Sequence, residues 1–324
     1  MRRVLVIGAN GQIGSELIGA LAERNGADYV IAADLVRPRA AHQVHFETLD
    51  VLDAAHLRDV VARHRIDEIY QLAALLSATG EAAPLRAWTL NMNSLLNVLE
   101  LAREGRIKRV FWPSSIAAFG PASELIDTPQ MTVMDPRTIY GISKQAGERL
   151  CEYYFARFNV DVRSLRYPGV ISYKTAPGGG VTDYAVAIFQ AAKRHQHYRC
   201  FLNADARLPM IYMPDAVRAT LELMHSTATS VRVRSSYNLA GTSFTPAELA
   251  AAIAKHVPEF QIIYEPDFRQ AIADTWPQSI DDSQACTDWG WRAHFTLDEL
   301  VVDMLRNIPL EWEGATEPAQ VMPA

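Results

Sequence analysis

Tyr140 and Lys144 stand four positions apart in Tyr140-Gly-Ile-Ser-Lys144, so on a helix both project from one face, a turn apart. An ammonium held beside a phenol favours the phenolate, which turns a group that ordinarily keeps its proton into a base. A free phenol has a pKa of about 10, so work near neutrality asks for a depression of roughly 2–3 units, on the order of 3–4 kcal/mol. Ser115 lies 25 residues earlier, just past the strand-like Val110-Phe-Trp112, where its hydroxyl can polarise a substrate oxygen. The three together suit proton removal from an alcohol. A Tyr-x-x-x-Lys pair also arises by chance on amphipathic helices, so its meaning depends on the elements around it.

The first of these elements is at the start of the chain. Val4-Leu-Val-Ile7 reads as a strand and runs directly into Gly8-Ala-Asn-Gly11-Gln-Ile-Gly14, followed by Ser15–Ala22 with apolar residues at helical spacing. Gly8 permits a tight turn, Gly11 lets a pyrophosphate approach the backbone, and Gly14 lets the helix pack close to the strand. Tyr29–Ala33 reads as a second strand, and Asp34 ends it, 20 residues after Gly14. A carboxylate there accepts from both adenosine ribose hydroxyls and repels a 2′-phosphate, so NAD is expected rather than NADP. Arg37 and Arg39, close behind, are the residues that would hold a phosphate in the other case. An oxidised nicotinamide beside Tyr140 adds a second positive charge favouring the phenolate.

Val44–Thr48 reads as a third strand ending at Leu49-Asp50-Val51, either a contact for the adenine amino group or a surface turn. Glu68–Leu72 is the fourth, opening into the small residues Ala73–Gly80, where a cofactor can pass close to backbone. A helix is predicted from about Pro84 through Asn91 to Ala102. Arg109–Trp112 is a fifth strand, delivering Ser114 and Ser115 to the carboxyl edge of the sheet, where open α/β folds bind ligands. Strand and helix alternate through residue 167, which implies a parallel, doubly wound sheet of the α/β class.

Whole-chain quantities narrow the functions. The 324 residues are 49% hydrophobic and 21% charged, ordinary values for a folded protein of one large or two joined domains. A net charge of −6 supplies no basic field for nucleic acid or an anionic membrane, and neither is expected as a partner. The N-terminal apolar run is too short for a signal-peptide core and no run approaches a membrane span, so a cytoplasmic location is expected. Cys151, Cys200 and Cys286 are scattered and odd in number, which suits free thiols in a reducing compartment. His195 and His197 lack clustered partners, and no metal is expected.

Gly8, Gly11, Gly14, Asp34, Asp50, Leu72-Ala-Ala74, Asn91, Ser115, Tyr140 and Lys144, in this order and spacing, resemble an extended short-chain dehydrogenase/reductase, the superfamily that includes nucleotide-sugar epimerases. The resemblance implies a Rossmann sheet over residues 1–170, a smaller substrate-binding α/β lobe over 171–308 interleaved with it, and a loose tail over 309–324. It implies NAD contacts from Gly8, Gly11, Gln12, Ile13, Gly14, Asp34, Asp50, Val51, Leu72, Ala73, Ala74, Asn91, Tyr140, Lys144, Tyr167 and Ile171. The helix that begins at Tyr140 is apolar around more of its circumference than one core face needs, and paired helices of this kind form a homodimer interface in the superfamily.

Pro168-Gly169-Val-Ile171 replaces the Phe-Asn usual in sugar epimerases. With Leu75–Gly80, Pro177–Tyr184, Leu208–Asp215 and Asp274–Pro277 it resembles the short-chain L-threonine 3-dehydrogenases. That resemblance implies Ser77 and Thr182 on the amino-acid head group of L-threonine, Ser115 and Tyr140 on its β-hydroxyl, and Trp276 closing over it. It further implies a mobile Gly178-Gly179-Gly180 loop whose N–H groups lie near the substrate carboxylate. Trp276 can also be a core aromatic, and Thr182 a helix cap. Two other functions stay open: a nucleotide-sugar epimerase or dehydratase that keeps its NAD through the cycle, and a non-catalytic NAD-binding regulator.

Overall fold

The computed structural model describes residues 2–38, 43–195 and 197–312; Arg39 and the tail beyond 312 lie outside them. The first half alternates β1 (Val4–Ile7), α1 (Gln12–Asn25), β2 (Val30–Asp34), β3 (His45–Thr48), α2 (Ala54–His64), β4 (Glu68–Gln71), α3 (Ser77–Glu81), α4 (Pro84–Arg103), β5 (Arg109–Ser115), α5 (Ile139–Phe158) and β6 (Val162–Tyr167). The second half contains β7 (Gly169–Ile171), α6 (Tyr184–Lys193), β8 (Tyr198–Cys200), β9 (Leu208–Tyr212), α7 (Met213–His225), β10 (Tyr237–Asn238), β11 (Thr242–Phe244), α8 (Pro246–Ala254), β12 (Ile262–Tyr264), α9 (Phe268–Ala273), α10 (Ser283–Trp289) and α11 (Leu297–Asn307).

Seven strands form one sheet in the order β10-β6-β5-β4-β1-β2-β3, every pair parallel. β1, β4 and β6 are buried along their whole length, as a parallel sheet covered on both faces requires. One face packs on α2, α4 and α5 through Leu57, Leu95, Leu99 and Tyr154. The other packs on α1, α7 and α10 through Leu17, Leu21, Leu223 and Ala285. Val4 pairs with Val30 on one side and Glu68 on the other, so strand order reverses about β1 and opens a crevice at the strand carboxyl ends.

A third core, built on Tyr184, Phe189, Tyr212 and Met304, holds the lobe, whose sheet runs β11-β9-β7. One detail departs from the predicted elements. Residues 77–81, predicted as an open stretch of small residues, form the short helix α3. β10, late in the chain, returns to the main sheet, with Tyr237 paired to Leu165. Thr245 and Thr296 close capping boxes with Glu248 and Glu299, each reciprocal, which fixes the starts of α8 and α11.

Candidate active site

The glycine turn is set by two positions with no room for a side chain. Gly8 has φ +81°, and a Cβ there would lie 2.7 Å from the Ala73 nitrogen; at Gly14 it would lie 2.2 Å from the Gly8 oxygen. β1, the loop after β4 and α1 thus meet at backbone distance. Gly11 caps α1 without a side chain, leaving the helix's first turn, with Gln12 and Ile13, facing the crevice. Asp34 is held beside the turn: its Oδ2 accepts from the Asn10 N–H at 2.9 Å and its Oδ1 from Leu35 at 2.8 Å. A bare helix N-terminus, a turn without Cβ atoms and a carboxylate at the end of β2 fit the pyrophosphate and adenosine ribose of NAD.

The other predicted cofactor residues fall into two groups. Leu72, Ala74 and Tyr167 line the crevice, and Ala73 supplies the nitrogen that abuts Gly8. Asp50 is exposed with its Oδ1 on the Leu52 N–H, Val51 is buried with its carbonyl held by Asn97, and Ile171 is buried in the lobe core. Asn91 does not face the crevice; its amide bonds the Leu75 backbone at 2.9 and 3.1 Å and Ser143 Oγ at 3.2 Å, bracing the loop after β4. Arg37 stacks on Phe46 and donates to the Phe46 carbonyl.

α5 begins at Thr138, whose side chain accepts from the Gly141 N–H at 3.0 Å. A Cβ on Gly141 would fall 2.1 Å from the Ala117 oxygen, and one on Gly147 2.3 Å from the Trp112 ring. Both glycines let α5 lie directly on β5 and the turn after it, which brings Tyr140 to Ser115 and Lys144 under the same crevice. Lys144 Nζ donates to the Pro113 carbonyl at 2.6 Å and sits 4.6 Å from the Trp112 ring centre and 5.4 Å from that of Tyr140.

In the protein without its cofactor, burial dominates the electrostatics of the phenol. Burial raises Tyr140 to about 12 despite its hydrogen bond with Ser115, and burial lowers Lys144 to about 7, opposed by Cys151 and Glu148. The ammonium is bound to a carbonyl and two aromatic faces rather than to the phenol oxygen, so within the protein alone it does not offset the desolvation of Tyr140. Beneath it, Glu148 accepts from Ser114 Oγ at 2.6 Å and pairs with Arg166 at 2.8 Å, both side chains buried.

One cavity of about 510 Å³ runs from the glycine turn past Ser115, Tyr140 and Lys144 to Ser77, Gly180, Thr182 and Trp276. Trp276 is both a core aromatic and a cavity wall. Gly179 lies off the cavity. Of the three glycines expected to offer N–H groups to a substrate carboxylate, Gly179 and Gly180 donate to Asp183 Oδ2, each at 2.8 Å. The strand-like start of the same connection is strapped to α1 by Ser15 Oγ on Thr175 Oγ1 at 3.0 Å and by Lys174 on Glu16.

Asp183 is a wall of the cavity that the sequence pattern missed, because at this helix start the cap reading fell on its neighbour Thr182. Burial raises its carboxyl to about 6, against the pull of the two glycine N–H groups. Among the described residues one group has metal-ligand geometry, His45, Glu47 and His64 at the opening of β3, away from the crevice; Arg63 sits on the second oxygen of Glu47 and closes it as a charge network. No helix among the described residues is long and apolar enough to cross a membrane.

Comparison with known proteins agrees with this arrangement. Residues 4–240 match the model of the NAD dependent epimerase/dehydratase family. The pig L-threonine 3-dehydrogenase, mitochondrial, is 47% identical over 306 residues, covering 94% of this chain and 82% of that protein. The structure of a GalE-like L-threonine dehydrogenase from Cupriavidus necator in its holo form superposes with a TM-score of 0.92 at 61% identity, covering 94% of this chain and 99% of that one. A monomeric L-threonine 3-dehydrogenase from a metagenome gives 0.91 at 46% identity, over 94% and 98%.

Proposed function

The chain belongs to the NAD dependent epimerase/dehydratase family, and from that membership we propose that it is an NAD-linked L-threonine 3-dehydrogenase, converting L-threonine to 2-amino-3-oxobutanoate. The observation that carries the choice of substrate is the continuity of the cavity from the glycine turn to Trp276. The cavity's volume of about 510 Å³ is enough for the nicotinamide end of a cofactor and a small amino acid side by side. A sugar nucleotide needs a second site with its own cationic holders. Arg207, the cation in the corresponding downstream stretch, is engaged by Glu248 and the Ser243 carbonyl.

NAD, when bound, supplies the acceptor for the hydride that leaves the β-carbon. The residues of the chain do the rest. Ser115 and Tyr140 hold the β-hydroxyl between them, and Tyr140 Oη takes its proton. Lys144, fixed by the Pro113 carbonyl, holds positive charge below the phenol and favours its ionised form when protonated. Ser77 and Thr182 supply hydroxyls to the head group, and Trp276 covers the site and excludes water. The glycine turn with Gln12, Ile13 and Asp34 holds the dinucleotide, and Asn91 keeps the loop after β4 in register with it. Residues 1–170 carry the cofactor and 171–308 mainly the substrate side.

The same reading makes the protein a homodimer through α4 and α5, where Leu85, Trp88, Ile142, Tyr153 and Phe158 leave apolar surface exposed. It places the protein in the cytoplasm, in keeping with free thiols at Cys151, Cys200 and Cys286. Net formation of NADH from NAD and L-threonine tests the assignment; an epimerase would regenerate its NAD in every cycle.

A further inference from the structure

We propose that Asp183 is the group that recognises the substrate's ammonium, its Oδ1 taking the amino nitrogen while its Oδ2 holds the glycine loop. This deepens the threonine reading and rests on it. Asp183 and Lys144 are the two side chains of formal charge that line the cavity, and Asp183 is its one carboxylate among the described residues. Lys144 lies under Tyr140, with its ammonium on the Pro113 carbonyl. An amino acid enters as a zwitterion, and its ammonium loses hydration in a cleft whose other walls are largely apolar or uncharged. Such a charge is held most strongly where a carboxylate meets it.

The geometry leaves one oxygen for that purpose. Oδ2 accepts both loop N–H groups at 2.8 Å, whereas Oδ1 has no hydrogen bond from a described residue and stands 3.0 Å from where a Cβ of Gly180 would be. A side chain larger than hydrogen at Gly180 would therefore press on that oxygen. Asp183 closes the helical turn Val181–Asp183 that leads into α6 by accepting from the Gly180 N–H, and that capping bond uses Oδ2 alone. Anchoring a loop needs an acceptor and no charge. Asparagine would serve, without the desolvation that lifts this carboxyl to about 6. The cation that would ordinarily offset such burial is not supplied by the fold: Arg269 acts on Asp183 only weakly, being paired with Asp267 and stacked on Phe201.

Placement relative to the chemistry is consistent. The loop that Asp183 holds packs on α3, with Gly179 against Thr79 and Gly178 against Leu76, and α3 in turn packs on Tyr140 through Gly80. The carboxylate and the phenol thus line the same cavity. A threonine whose ammonium meets Asp183 carries its β-hydroxyl on the adjacent carbon, within that cavity.

The experiment compares L-threonine with 3-hydroxybutanoate, the same secondary alcohol with hydrogen in place of the ammonium, in the wild type, Asp183→Asn and Asp183→Ser. For wild type, kcat/KM favours threonine. In both variants KM for threonine rises by about 10-fold to 100-fold, as loss of a charge-assisted hydrogen bond predicts; kcat changes less, the affinity for NAD is kept, and the preference for threonine over 3-hydroxybutanoate collapses. Each ratio is internal to one protein, so a partly unfolded preparation does not distort it. A preference unchanged in both variants, with NAD binding intact, overturns the proposal and leaves the threonine reading standing. A wild type that binds NAD and oxidises no threonine overturns that reading instead.

Discussion

At the scale of single residues, the site holds two ionisable groups whose burial works against their usual charge. Asp183, raised to about 6 from 3.8, binds its proton more tightly in the folded protein than in the unfolded chain. Its contribution to stability is therefore complete below the unfolded value and lost as pH rises through about 6. Asp183→Asn removes that loss. Relative to wild type the variant gains stability at about pH 8 and loses the advantage at about pH 5, measured as the difference in urea midpoints at the two pH values; a difference independent of pH would contradict the assignment. Lys144, lowered to about 7, contributes in the opposite sense, its cost growing as pH falls toward that value. Tyr140 and Lys144 were legible as a pair from their spacing alone. Their pKa values were not, because desolvation depends on what the fold stacks over them, and here that is Trp112 and the Pro113 carbonyl.

At the scale of elements, α5 is the organising piece, and its seat is polar as well as apolar. Glu148, one turn past Lys144, receives Ser114 from β5 and Arg166 from β6 in a fully buried pair. Replacing Glu148 with Gln leaves the Arg166 charge without its counterion, at a cost of about 3–5 kcal/mol; chemical denaturation reads it, and a loss under about 1 kcal/mol would contradict the account. Strands β1 to β5 and helices α4 and α5 were readable from apolar runs and periodicity. α3 was not, since Ser77-Ala-Thr-Gly80 has no apolar period and its helix is set by packing on Ile139 and Ala87. β10 was not readable as a member of the main sheet, because its partner Leu165 is distant in sequence. Thr182 was read as a substrate contact or a helix cap and Asp183 was passed over, and the cavity gives Asp183 a wall position that local pattern does not carry.

At the scale of the whole molecule, two cores cover the seven-stranded sheet and a third carries the lobe, with the cavity between sheet and lobe. The exposed apolar residues of α4 and α5, Leu85 at 83% and Tyr153 at 53% exposure, lie on the face that a second copy would cover. Sedimentation equilibrium is expected to show a dimer that Leu85→Glu with Tyr153→Glu converts to monomer. A wild type that stays monomeric at all concentrations would contradict the dimer, as the monomeric metagenome relative shows to be compatible with this kind of fold.

The central claim is that this cavity oxidises L-threonine with NAD as a consumed co-substrate and Tyr140 as the base. Its most direct test follows NADH formed against threonine lost in purified wild type and in Tyr140→Phe. The account predicts one NADH for each threonine in the wild type, on the order of 100-fold or more loss of rate in the variant, and unchanged NAD affinity in both. Tight NAD binding with no NADH from threonine, or a variant as fast as wild type, would contradict it.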